Sequence, residues 1–158
     1  MPIRPGDRIP QVTLPSHTRE PVALADQLGR GPLLILFFPL AFTSTCTAEL
    51  CSVSDDFRSY EELGAQVFAI SVDSPYVLER YRAECGATYP FLSDFNREAA
   101  HAFGVLRSDP VGPGLRNATD RAAFVIDREG VVRYVWHSTN PSLLPPFDEL
   151  KAALRAAA

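Results

Sequence analysis

Leu33-Leu34-Ile35-Leu36-Phe37-Phe38 is an unbroken apolar run, and the change of pattern after it restricts the fold more than any other feature of the chain. A run of that length reads as a buried strand. Beyond Pro39 the period becomes helical: Cys46, Leu50, Val53, Phe57 and Tyr60 recur at spacings of four, three, four and three. They form one buried stripe on a helix from Thr45 to Leu63, which Gly64 stops. Gln66-Val67-Phe68-Ala69-Ile70-Ser71 then reads as a second strand. Two strands joined through a helix pair in parallel, by a right-handed crossover.

The rest of the chain extends this unit. Gln11 to Leu14 reads as a short edge strand ended by Pro15-Ser16, and Ser74-Pro75 is an N-cap and first-turn pair for a helix reaching about Glu84. Pro110-Val111-Gly112-Pro113-Gly114 reads as an exposed loop. A strand begun at 122 to 124 turns at Asp127-Arg128-Glu129-Gly130 into Val131 to His137, an antiparallel hairpin, and a helix from about Phe147 to Leu154 closes the chain. A βαβ unit followed by a ββα unit predicts an α/β, thioredoxin-like fold, with a central mixed sheet flanked by helices in a single domain over residues 1–158. Sites in such sheets lie at the C-terminal ends of the parallel strands. The first strand-to-helix connection carries Cys46.

That connection spells Pro39-x-x-x-Thr43-x-x-Cys46. Cys46 falls in the first turn of the helix, where unpaired N–H groups and the helix dipole favour a thiolate. Pro39 stiffens the approach, and the Thr43 hydroxyl can bond a sulfur or a ligand oxygen. Free cysteine is also among the most buried residue types, so the plain alternative is a small apolar residue on the stripe. The strand-loop-helix setting favours an activated nucleophile.

Phe37-Phe38-Pro39-Leu40-Ala41-Phe42-Thr43-Ser44-Thr45-Cys46 resembles the active-site segment of peroxiredoxins, thiol peroxidases that reduce hydroperoxides. Arg121-Ala122-Ala123-Phe124-Val125-Ile126-Asp127 resembles the family segment in which an arginine opens a strand and reaches the peroxidatic cysteine. Tyr89 to Asp94 and Phe103-Gly104-Val105 are similar to further family stretches, so the likeness runs from about Pro5 to Leu150. The Phe37 to Thr43 wording resembles the one-cysteine alkyl hydroperoxide reductase E type, whereas a second cysteine at Cys51 resembles the bacterioferritin-comigratory type. The resemblance implies that Cys46 attacks a hydroperoxide, becoming a sulfenic acid and releasing water or an alcohol. Arg121 would stabilise the developing negative charge, and an external thiol, from a thioredoxin-like or other reductant, would recycle the enzyme.

Three further residues have competing readings. Glu49 either pairs with Arg121 and orients its guanidinium bidentately, or is a first-turn carboxylate favoured by the helix dipole. Cys51 lies off the buried stripe and is read as the thiol that resolves the sulfenic acid in preference to an inert residue. Five helical residues rise about 7.5 Å and turn about 500°, leaving its Cα ~8.6 Å from that of Cys46. A disulfide needs less than ~7 Å, so the helix must unwind for the two to bond. Cys85 extends a stripe of Val77, Tyr81 and Cys85, which favours a core role over a second resolving thiol, and Gly86 places it at a helix end. The alternatives to this scheme are a one-cysteine peroxidase and a redox-sensing domain without turnover. Thioredoxin-type exchange fits less well, because its two cysteines are separated by two residues and here the gap is four.

At 158 residues the chain is long enough for a substantial core, and a net charge of −4 argues against nucleic acid. Met1-Pro2-Ile3-Arg4-Pro5 has no apolar signal core and no run approaches the ~20 residues that span a bilayer, which together with three cysteines suggests a cytoplasmic protein, monomeric or homodimeric. The three histidines and three cysteines lack zinc-ligand spacing, and no phosphate or dinucleotide motif occurs, so no metal or cofactor is expected. The Asn117-Ala118-Thr119 sequon carries no weight in that setting.

Overall fold

Alternate residues of the Leu33–Phe38 run face opposite sides of a five-stranded sheet, so one short strand anchors two cores. The computed structural model describes residues 1–158. A small hairpin of β1 (Thr13–Pro15) and β2 (Pro21–Ala23) comes first, followed by a short 3-10 turn. Then come β3 (Leu33–Phe37), α1 (Ser44–Asp55), α2 (Phe57–Glu62), β4 (Gln66–Ser71), α3 (Pro75–Cys85), β5 (Phe91–Ser93) and α4 (Glu98–Phe103). The chain ends with β6 (Arg121–Ile126), β7 (Val132–Ser138) and α5 (Phe147–Ala157).

The sheet order is β5-β4-β3-β6-β7. β3, β4 and β5 run parallel, while β6 is antiparallel to β3 and β7 to β6. This is the expected thioredoxin-like arrangement. Leu34 and Leu36 pack with Leu50 of α1, Tyr81 of α3 and Leu154 of α5 on one face. Leu33, Ile35 and Phe37 pack on the other with Phe103 of α4 and with Ile9 and Leu24 from the N-terminal segment.

Several boundaries differ from the sequence expectation. The helix expected from Thr45 to Leu63 is two helices broken at Asp56. There the Asp56 side chain accepts from Ser59 Oγ at 2.6 Å and pairs with Lys151 of α5, so it trades helical continuity for local bonds. Phe57 is accordingly only half-buried. The α3 stripe is Leu78, Tyr81 and Cys85, and Val77 is 38% exposed. The edge strand is Thr13–Pro15, one that includes Pro15, and its partner β2 had no signal of its own. The stretch between α3 and β6 also holds β5 and α4. Asp94 starts α4 from outside, accepting the Ala99 and Ala100 N–H groups at 2.9 and 2.7 Å.

Candidate active site

β3 delivers the chain to Pro39 at the C-terminal edge of the sheet, and α1 starts five residues later. Thr43 adopts the extended N-cap conformation, but its side chain caps nothing. Its hydroxyl instead donates to the Leu40 carbonyl at 3.0 Å, tightening the Leu40–Thr43 turn and not reaching a sulfur. Phe42, within that turn, has φ 66, a left-handed conformation that costs a phenylalanine on the order of 1–3 kcal/mol. Two contacts hold it: the Phe42 ring packs on Tyr81 at 4.8 Å, and the Ala41 N–H donates to Asp73 at 2.8 Å.

Cys46 is fully buried in the first turn of α1. β6 pairs with β3 so that Ala122 lies opposite Phe37, which puts Arg121 beside the chain as it leaves β3. From there Arg121 Nη2 donates to Cys46 Sγ at 3.0 Å and to the Pro141 carbonyl at 2.9 Å. Arg121 Nη1 donates to Glu49 Oε1 at 3.0 Å. A cation donating to the sulfur favours negative charge there.

Glu49 therefore pairs with Arg121 through a single bond and not bidentately. Arg121 Nε and Glu49 Oε2 are buried without hydrogen-bond partners. Burial pushes the Glu49 carboxyl up to about 7, against the opposing pull of the Arg121 charge and hydrogen bond.

A pocket of about 180 Å³ opens onto this group. Pro39, Thr43, Cys46 and Arg121 line it together with Val111, Leu115 and Pro141. The sequence reading missed the last three, which lie in loops. The Pro110–Gly114 stretch had signalled only irregular structure, and Pro141 acts through its carbonyl, which no residue type announces. No group of three His, Cys, Asp or Glu side chains is placed to hold a metal ion.

Cys51 sits on α1 away from this pocket. It is half-buried and packs against the core that α1 shares with α3, so it contributes more packing than a position off the stripe suggested. Cys85, the last residue of α3, lies in that core as expected, with Gly86 in the left-handed cap position after it. All three cysteines are unpaired.

The AhpC/TSA family model matches residues 5–135. Alkyl hydroperoxide reductase E of Mycobacterium tuberculosis is 34% identical over 131 residues, covering 82% of each chain. Peroxiredoxin Bcp of Escherichia coli is 30% identical over 135 residues, covering 85% of this chain and 86% of its own. The crystal structure of peroxidoxin BcpB from Mycobacterium tuberculosis superposes with a TM-score of 0.84 at 30% identity, over 99% of both chains. Since the family match runs through both Cys46 and Arg121, and these relatives align over most of both chains, the chain belongs to the AhpC/TSA family, the peroxiredoxins, which are thiol-dependent peroxidases.

Proposed function

We propose that Cys46 is the peroxidatic nucleophile, that Arg121 stabilises its charge and that of the leaving oxygen, and that Cys51 resolves the product. The observation that carries this reading is the 3.0 Å bond from Arg121 Nη2 to a buried cysteine sulfur beside an open pocket. The Cys46 thiolate attacks the distal oxygen of a hydroperoxide; the S–O bond forms as the O–O bond breaks. The departing oxygen takes a proton and leaves as water or an alcohol, and Cys46 is left as the sulfenic acid. Arg121 is a fixed donor where negative charge moves from sulfur to oxygen, and Glu49 holds the guanidinium from the far side. Pro39 and Thr43 shape the turn that sets the pocket mouth. Leu40, Val111 and Leu115 give the pocket an apolar side that accommodates the alkyl group of an organic hydroperoxide as well as hydrogen peroxide.

The Cys51 thiol then displaces water from the sulfenic acid, and an external thiol reduces the disulfide. Three unpaired cysteines suit a reducing compartment such as the cytoplasm. A one-cysteine mechanism is the second reading, favoured by the packing of Cys51 in the core that α1 shares with α3, outside the lining of the Cys46 pocket. The test is peroxide consumption coupled to a dithiol. Cys46→Ser should abolish it while the circular dichroism spectrum stays that of the parent, and retention of most activity would remove Cys46 from the role.

A further inference from the structure

α1 and α3 follow the parallel strands β3 and β4, and their turns are in step. Thr47 Oγ1 and the Tyr81 hydroxyl share a hydrogen bond of 3.1 Å across the two helices. Four residues further along each helix, on the same faces as Thr47 and Tyr81, come Cys51 and Cys85, both packed into the core that the two helices share. The Tyr89 hydroxyl donates to the Leu50 carbonyl at 2.8 Å, holding α1 at the same level. In the reduced protein Cys51 therefore has a sulfur neighbour, and that neighbour is Cys85.

We propose that Cys85 is the third member of a disulfide relay: the Cys46–Cys51 disulfide left by peroxide reduction is exchanged into a Cys51–Cys85 disulfide, which frees Cys46. This rests on Cys51 as the resolving thiol. Cys85 loses its proton to solvent and attacks Cys51 Sγ. The Cys51–Cys85 bond forms, the Cys46–Cys51 bond breaks, and its electron pair leaves on Cys46 Sγ. The exchange itself involves no net oxidation, the two electrons having gone to the peroxide in the first step.

Geometry sets the direction. With ~8.6 Å between Cα atoms in an intact helix, the first disulfide holds α1 unwound, and release of Cys46 lets it rewind. The second disulfide joins helices already packed together. Once α1 rewinds, the released Cys46 sulfur regains the Arg121 donor at 3.0 Å, which favours the exchanged state. Burial pushes the Cys85 thiol up to about 12, with a further upward contribution from Cys51. Oxidation of Cys51 removes that second contribution at the step where Cys85 must act. A chain in the relayed state can react with a second peroxide, so each chain consumes two equivalents before it needs a reductant.

The test is a time course on the reduced full chain given one equivalent of hydrogen peroxide, quenched by alkylation and mapped by peptide mass. The expected order is Cys46–Cys51 first, then Cys51–Cys85 with Cys46 alkylated. Cys85→Ser, or Cys85→Ala if the serine disturbs packing, should stop at Cys46–Cys51, and peroxide uptake without reductant should fall from two equivalents to one. Cys46→Ser should form no disulfide on the same timescale. A parent that keeps Cys46–Cys51 with Cys85 alkylated overturns the relay and leaves the proposed function intact, whereas a Cys46–Cys85 bond overturns both the relay and Cys51 as resolver and leaves Cys46 as the nucleophile. A Cys51–Cys85 bond that forms as fast in Cys46→Ser also overturns the relay. A persistent sulfenic acid removes both the relay and Cys51 as resolver, whereas a Cys46 that never reacts removes the peroxidase assignment itself.

Discussion

α1 and α3 occupy the same place in successive βα units, yet their N-termini are built for different ends. α3 is finished in the ordinary way: Ser74 Oγ accepts from the Val77 N–H at 3.3 Å, Pro75 fills the first turn, and Gly86 closes the other end. Its sequence says helix and little else. α1 begins at Thr43, a residue type well able to cap, but the hydroxyl turns back to Leu40 and the first-turn N–H groups receive no side chain. Positive potential is thereby left facing the pocket, and Cys46 and Arg121 meet there. An uncapped helix start is also one with less to lose on unwinding, which suits the proposed bond from Cys46 to Cys51.

The contrast breaks most sharply at Arg121. Arg121→Ala should slow oxidation of Cys46, read by stopped flow, on the order of 10²-fold. It should also cost about 3 kcal/mol of stability, because Glu49 loses the only partner of its buried carboxyl. Adding Glu49→Gln to Arg121→Ala should restore much of the stability and none of the rate. Arg121→Lys should recover the rate only in part, since one ammonium cannot reach Cys46, Glu49 and Pro141 together. An unchanged rate constant in Arg121→Ala would remove it from the chemistry.

A second measure of the difference is pH. The Glu49 carboxyl rises from an ordinary 4.5 to about 7 in the folded protein, so between those values the folded state keeps a proton that the unfolded chain releases. Its contribution to stability is largest below pH 4.5, declines as pH rises through that window, and levels off above about 7. Urea unfolding of the parent and Glu49→Gln across the window should therefore show the parent losing ground to the variant as pH rises. Parallel curves would mean the Arg121 pairing holds the carboxylate ionised throughout.

Oxidation should separate the two helices more locally. In Cys85→Ser, where the disulfide stays at Cys46–Cys51, amide exchange should speed up over Thr45 to Ser52 while the centre of α3 keeps its protection. Equal protection in both helices would sink the unwinding requirement. The smallest effect belongs to α3: Ser74→Ala should cost about 1 kcal/mol of stability and leave the oxidation rate of Cys46 within twofold of the parent. A large loss of rate there would mean that α3, through Tyr81 and Phe42, positions the active-site turn more directly than its capping implies.

The parts of this comparison differ in how far local sequence reveals them. Leu33–Phe38, the Gln66–Ser71 strand, the Ser74-Pro75 cap and the Asp127–Gly130 turn were legible because period, cap and turn chemistry are local properties. Cys46 was legible for the same reason, being defined by its distance from a strand end and a helix start. The break at Asp56 was not, because its cause includes Lys151, on α5. Nor was α4, whose starting acceptor Asp94 lies outside the helix.

By itself, then, the sequence determined the βαβ and ββα units, a cysteine at a helix N-terminus, and an arginine at the head of a strand that could reach it. Tertiary structure decided the contacts between elements distant along the chain. The β3–β6 register sets Arg121 against Cys46, a single bond ties Glu49 to Arg121, and the packing of α1 on α3 brings Cys51 and Cys85 into one core. Residue spacing fixes direction only within one helix or strand; which side chains meet across elements is settled by how the sheet and its helices close-pack, and that depends on all of them at once.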